Sequence, residues 1–293
     1  MKNMIKKVFL LILVVMLSVN CYAGGNRIKI KGSDTLINLV QKMSERYMQV
    51  NPNQVLAITG GGSGTGIAAL INKKCDIANA SRLMKPKEIK RAQKKKVNPK
   101  RVVIAMDGLS VITHKNNPIK KLTVSEVGKI FRGEITNWKE LGGEDIRITL
   151  YGRQSNSGTF VFFRDFVVKA DYSKKMNRMN GNSQIVEALK RDKSGIGYVG
   201  VGYVKNEPSV TVLSIARKKS GLYASPLNKQ HVLSGKYPIT RPLNQYVSGS
   251  MKGHLKQFIE FELSPAGQKI VEEEGFFPIP QEYKNYNKKS VGI

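Results

Sequence analysis

A chain of 293 residues, 41% of them hydrophobic, is long enough to bury two cores of ordinary domain size. With only two cysteines, Cys21 and Cys75, it is not a disulfide-stapled scaffold. The balance of 49 basic against 21 acidic residues gives a formal charge of +28, which points to anionic partners: nucleic acid, an anionic membrane or an anionic ligand.

Residues 1–23 read as a signal peptide. Lys2, Lys6 and Lys7 give a basic start, and the apolar run over 8–19 is too short for a permanent bilayer span. Cys21-Tyr22-Ala23 then places small residues where a signal peptidase cuts, so cleavage is expected after Ala23. A lipid anchor at Cys21 is the alternative, disfavoured because Asn20 replaces the small residue of a lipobox. No later stretch approaches a membrane span. The expected mature protein is extracytoplasmic and soluble, with Cys75 as its one thiol, buried and free.

Strands and helices then alternate. Strands are expected over 27–31, 54–59 and 76–80, with helices over 36–50 and 67–73; Leu36, Leu39, Val40, Met43 and Tyr47 supply the helical spacing of the first. The densest charge lies over 85–101, around Lys94-Lys95-Lys96, and reads as a solvated basic face because no aromatic residues are interleaved for stacking on bases. A long β-rich run follows over 101–113. Asn116-Asn117-Pro118 breaks the pattern before a helix over 124–131, a strand over 146–151 and a helix over 158–168. A glycine-punctuated strand pair is expected over 195–204 and an extended segment over 237–247. Helices over 254–263 and 265–274 close the pattern, the second with Ser264 as N-cap and Pro265 at its first position. The order implies an α/β fold with helices covering a largely parallel sheet. Trp138 reads as core and Asn137 as a turn residue.

One kind of turn occurs three times between a strand and a helix: Gly32-Ser33-Asp34-Thr35, Gly60 to Gly66, and Arg153-Gln154-Ser155-Asn156-Ser157-Gly158-Thr159. Each places hydroxyls and uncluttered N–H groups at a helix start, where backbone donors lack partners and the helix dipole is positive. Any single turn is explained by capping alone. Three facing a common cleft would make a site for a tetrahedral oxyanion, and Arg153 adds a guanidinium suited to bidentate bonding. Nucleotide and hydrolase motifs fail on the same residues. Ile67-Ala68 stands where a P-loop needs Lys and Ser/Thr, and Thr65 breaks a nucleophile elbow around Ser63. The three histidines, His114, His231 and His254, lack metal-ligand spacing, and no cofactor is implied.

At these turns the chain resembles the phosphate-binding proteins of bacterial ABC importers, the PstS-like branch of the type II periplasmic binding proteins. Further stretches fit over essentially the whole mature chain: Asp76-Ile77-Ala78-Asn79-Ala80-Ser81-Arg82, Ala105-Met106-Asp107-Gly108, residues 130–138, and residues 263–278. The resemblance implies a two-lobed α/β fold with a ligand cleft between the lobes, lobe I over 24–112 plus 224–293 and lobe II over 113–223. It implies capture of inorganic phosphate by a monomer that delivers it to membrane permease subunits, with no enzymatic step and no nucleic acid. The implied phosphate ligands are Ser33, Asp34, Thr35, the Leu36 N–H, Ser63, Ser81 and Arg82 from lobe I, and Arg153, Ser157, Gly158 and Thr159 from lobe II. Well-known members carry an aspartate after the serine, where Arg82 stands here. Selecting phosphate over sulfate requires an acceptor for the proton that only phosphate retains. Asp107 is therefore the first candidate acceptor and Asp34 the second. Asp107 lies in an apolar strand, where an unpaired carboxylate is costly, so it is expected to meet an arginine or the ligand. The alternatives are another oxyanion (sulfate, molybdate or tungstate) and, more remotely, a phosphate-chemistry enzyme.

Overall fold

The computed structural model describes residues 27–249 and 251–293; the expected signal peptide and Cys21 lie outside them. The chain opens with β1 (Arg27–Gly32), α1 (Ile37–Val50), β2 (Val55–Thr59), α2 (Ser63–Ile71), β3 (Ile77–Ala80), α3 (Pro86–Lys94) and β4 (Pro99–Gly108). The middle comprises β5 (Ser110–His114), β6 (Lys121–Thr123), α4 (Val124–Arg132), β7 (Thr149–Arg153), α5 (Gly158–Phe163), β8 (Asn177–Met179) and α6 (Asn182–Arg191). There follow β9 (Gly195–Val199), β10 (Val210–Val212), β11 (Ser214–Ala216), α7 (Lys229–Leu233), β12 (Thr240–Ser248), α8 (Gly253–Leu263), α9 (Pro265–Glu273) and α10 (Gln281–Val291).

Two five-stranded sheets form, in the orders β2-β1-β3-β12-β4 and β10-β5-β9-β7-β8. The β-rich run expected over 101–113 serves both. Leu109 alone separates β4 of the first sheet from β5 of the second, and β12 brings the chain back to the first. The result is a two-lobed α/β molecule. Neither sheet is largely parallel: β1 pairs in parallel with β2 and β3, but β12 enters antiparallel between β3 and β4, and β5 is antiparallel to β9 and β10. Local pattern does not encode strand direction. A chain that leaves a sheet and returns late is free to insert its last strand the other way.

The apolar stripe of α1 buries Leu39, Val40, Met43 and Tyr47. Tyr47 meets Phe258 of α8 edge-on at 5.3 Å. In the second lobe Phe131, Phe163 and Tyr198 form a cluster, with Phe163 stacked on Tyr198 at 4.0 Å. Each such side chain contributes about 1.5–3 kcal/mol by burial. Trp138 is 2% exposed and donates from Nε1 to the Ser194 carbonyl at 2.9 Å; Asn137 accepts from Lys139 N at 3.0 Å and caps the turn. Ser264 caps α9 by accepting from Gly267 N at 3.3 Å. Cys75 is buried, and burial pushes its thiol up to about 12.

The strand pair expected over 195–204 is one strand, β9, followed by a 3-10 turn over Val201–Tyr203. Val201 N leaves the ladder to donate to Asp107 Oδ1 at 2.9 Å. Among the described residues no helix is long and apolar enough to cross a membrane.

Candidate functional site

The first turn begins where β1 ends. Gly32 holds φ +141°, and a Cβ there would overlap the Asn79 carbonyl oxygen on β3. That close approach lets Ser33 N donate to Asn79 O at 2.9 Å and sets the Ser33 and Thr35 side chains into the interior, 3% and 1% exposed. Gly61 and Gly62, also at positive φ, bend the second turn so that Gly62 N reaches Gly32 O at 2.9 Å. Ser63, fully buried, starts α2. The third turn rests on a chain of hydrogen bonds. Arg153 N donates to Tyr198 Oη at 3.2 Å, Tyr198 Oη donates to Tyr172 Oη at 3.0 Å, and Tyr172 donates to Phe160 O at 2.9 Å. Burial lifts the Tyr198 phenol to about 12, so it remains a neutral partner in that chain.

These turns bring together five hydroxyls. Ser33 Oγ donates to Ser81 Oγ at 3.0 Å, and Ser63 Oγ lies 3.4 Å from Ser81 Oγ while accepting from Ser81 N at 3.0 Å. From the other lobe, Thr159 Oγ1 is 2.9 Å from Thr35 Oγ1 and 3.3 Å from Ser81 Oγ. Gly158 sits against the same group: a Cβ there would collide with Ser63 Oγ and come within 2.7 Å of Ser81 Oγ. The lobes are further joined by Gly64 N donating to Asn156 O and Asn156 Nδ2 donating to Gly61 O, each at 2.9 Å.

Of two buried arginines, Arg241 borders the cluster directly and Arg153 is tied to it through Asp34, the neighbour of Ser33 and Thr35. Arg153, 1% exposed, donates from Nη2 to Asp34 Oδ2 at 2.6 Å and to Asn180 O at 2.7 Å; its Nε and Nη1 have no hydrogen-bond partner among the described residues. Arg241, 2% exposed, donates from Nη2 to Thr159 Oγ1 at 3.1 Å and from Nη1 to Ser81 O at 3.1 Å. Its Nε and Nη2 approach Asp107 Oδ2 at 2.9 and 2.8 Å. Burial lowers the Arg241 pKa and Asp107 works against that shift; a guanidinium stays charged regardless.

The expected residues therefore fall into groups. Ser33, Thr35, Ser63, Ser81, Gly158 and Thr159 converge. Ser157 is buried beside them, but its Oγ caps α5 by accepting from Phe160 N at 3.4 Å. The Leu36 N–H is used inside its own turn, donating to Ser33 O at 3.1 Å. Arg82 pairs with Glu88, each terminal nitrogen 2.8 Å from a carboxylate oxygen, and makes no bond to the hydroxyls. Asp107 meets an arginine, the first of the two partners expected for it. Asp34 does not cap a helix; its carboxylate ties the second turn to the third, taking Gly61 N on Oδ1 at 2.8 Å and Arg153 on Oδ2. Sequence reasoning missed Arg241. Its only signal was an arginine in a segment expected to be extended, and β12 places it directly opposite Asp107 in the ladder. Tyr203, whose Oη donates to Asp34 O at 2.6 Å, gave no signal.

Chemically the site offers hydroxyls and two guanidinium groups as donors, with each arginine's charge offset by one aspartate. Among the described residues there is no group of His, Cys, Asp and Glu able to hold a metal ion.

Comparison with known proteins shows the family to which the chain belongs. The model of the PBP superfamily domain matches residues 23–266. The phosphate-binding protein PstS of Borreliella burgdorferi is 33% identical over 293 residues, covering 94% of this chain and 99% of the relative. That of Pseudomonas aeruginosa is 32% identical over 280 residues, covering 89% and 86%. A solved structure from Clostridium perfringens, assigned to a phosphate ABC transporter as its substrate-binding protein and holding bound phosphate, superposes with a TM-score of 0.78 at 31% identity, covering 87% of this chain and 100% of that one.

Proposed function

The chain belongs to the PBP superfamily, and from that premise we propose that it is a PstS-like protein that captures inorganic phosphate outside the cytoplasm for an ABC importer. The observation that carries this reading is Arg153: a charged, 1% exposed guanidinium whose Nε and Nη1 have no partner among the described residues, tied through Asp34 to the turn whose Ser33 and Thr35 join the hydroxyls converging from both lobes. Buried donors of this kind are costly unless a ligand accepts from them. A tetrahedral oxyanion is the right shape for donors arriving from three turns.

In this reading Thr35, Ser63 and Ser81 of the first lobe and Arg153, Gly158 N–H and Thr159 of the second bind the anion, and Ser33 and Arg241 hold those groups in place. Asp34 is the better proton acceptor. It is 17% exposed and shares Arg153 with the ligand, whereas Asp107 is fully buried with both oxygens engaged by Arg241 and Val201. Lobe I is built on the first sheet and lobe II on the second, with crossings at Leu109 and between β11 and β12. Binding draws the lobes together by hinge motion, and the closed monomer presents itself to permease subunits. The protein makes and breaks no bonds. The exported form is soluble, with cleavage after Ala23.

The test is calorimetric titration with phosphate and with sulfate. Phosphate is expected to bind far more tightly, and Asp34→Asn to narrow the difference by about tenfold or more, the worth of one lost charge-assisted bond. Equal affinity for both ions in the parent protein would overturn phosphate as the ligand. An unchanged ratio in Asp34→Asn would remove Asp34 as the acceptor.

A further inference from the structure

The basic run that the binding function leaves unused gains a second component once the chain is folded. Between Lys85 and Arg101, nine lysines and arginines accompany one acid, Glu88, which is already bound to Arg82 in a two-pronged pair. Lys87, Lys90, Arg91, Lys94, Lys95 and Lys96 are all exposed. The C-terminal helix α10 packs on β4 beside α3 and adds the exposed Lys284, Lys288 and Lys289. The two helices flank one shallow depression of about 370 Å³, walled by Leu83, Ile89, Gln93, Tyr246 and Tyr286 with Arg101 on its edge. Leu83, Ile89 and Tyr286 are 57%, 41% and 37% exposed. These are three of the eight large hydrophobic side chains exposed among the described residues.

We infer that this α3–α10 face docks on an anionic lipid bilayer. Lysines on flexible stems suit a diffuse negative surface better than a rigid, paired one. The apolar side chains between them are of the kind that sinks into the headgroup boundary, where tyrosine is also at home. Nucleic acid fits less well. Tyr286 is the aromatic ring most exposed here, and Arg101 already lies over it at 5.0 Å, leaving no free stacking platform. Leu83 and Arg101 also line the cavity that reaches Ser81 and Arg241, but Lys87, Lys90, Lys94, Lys284 and Lys288 do not, so the inference does not depend on which anion the cleft holds. Docking would keep the protein in the thin layer next to the membrane.

Sedimentation with vesicles tests it. The protein is expected to pellet with phosphatidylglycerol–phosphatidylcholine vesicles and to remain in solution with phosphatidylcholine alone. Lys90→Glu/Lys94→Glu should reduce binding at least about tenfold, and Ile89→Ser several-fold. Lys174→Glu/Lys175→Glu, exposed on the other lobe, removes the same net charge and should have a much smaller effect. Phosphate affinity in all three variants should match the parent, which confirms the fold. Equal losses from the two charge reversals would overturn the inference, since only net charge would then matter. So would binding to neutral vesicles as strong as to anionic ones, or patch-dependent binding to DNA without binding to vesicles.

Discussion

Arg153 and Arg241 are both buried and both paired with an aspartate, yet they should fail differently. Arg153 keeps two nitrogens without a partner among the described residues, and its aspartate is 17% exposed. Arg153→Ala should therefore weaken phosphate binding by about 10²–10⁴-fold, two charge-assisted bonds, with little change in urea midpoint. Arg241 has its charge committed to Asp107, which is 0% exposed. Arg241→Ala strands that carboxylate and should cost about 3–5 kcal/mol of stability. Titration calorimetry and urea unfolding on both variants separate the two roles. A binding loss for Arg153→Ala that merely tracks lost stability would make it a structural residue. Of the pair, only Arg153 was legible in the sequence, because it stands beside its hydroxyl turn. For Asp107 the cost of burying a lone carboxylate required a partner without naming one. Arg241 became that partner through the β12–β4 register, a long-range pairing that no local pattern carries.

At the scale of elements, the first turn depends on how closely β1 approaches β3. Gly32→Ala would place a methyl on the Asn79 carbonyl at a φ that L-residues avoid. A loss of about 2 kcal/mol or more in stability is expected, with phosphate binding weakened in step because Ser33 and Thr35 move with the turn. Urea unfolding followed by calorimetry checks both. Wild-type behaviour in this variant would mean that the turn has slack. Elements whose ends carry chemistry were legible: Ser264 and Pro265 mark the start of α9, and the stripe on α1 marks its buried face. The direction of β12 and the shortness of β9 were not. One depends on the returning chain filling the gap between β3 and β4. The other depends on Val201 giving its N–H to Asp107, a side chain distant in sequence.

For the whole molecule, chain length left room for two lobes and the family resemblance implied them, whereas the alternating elements alone suggested one largely parallel sheet; the way the lobes are held together is seen only in three dimensions. Stability should also depend on pH through one buried group. Glu262 in α8 is fully buried, and burial lifts its carboxyl from 4.5 to about 8 against the opposing bond from Gln245. Below the unfolded value both states hold the proton. As pH rises toward 8 the unfolded chain releases it and the folded one retains it, so stability declines across that interval, by up to several kcal/mol. Glu262→Gln should flatten that part of the Tm–pH curve, and a curve parallel to the parent's would rule the group out. Gly158 carries a different consequence. The atoms nearest to the side chain it lacks belong to Ser63 and Ser81 on the opposite lobe, while its own helix start tolerates alanine well. Gly158→Ala should fold and melt like the parent, yet show no rise in Tm when phosphate is added. A screen for thermal robustness alone would therefore pass a variant that never closes on its cargo.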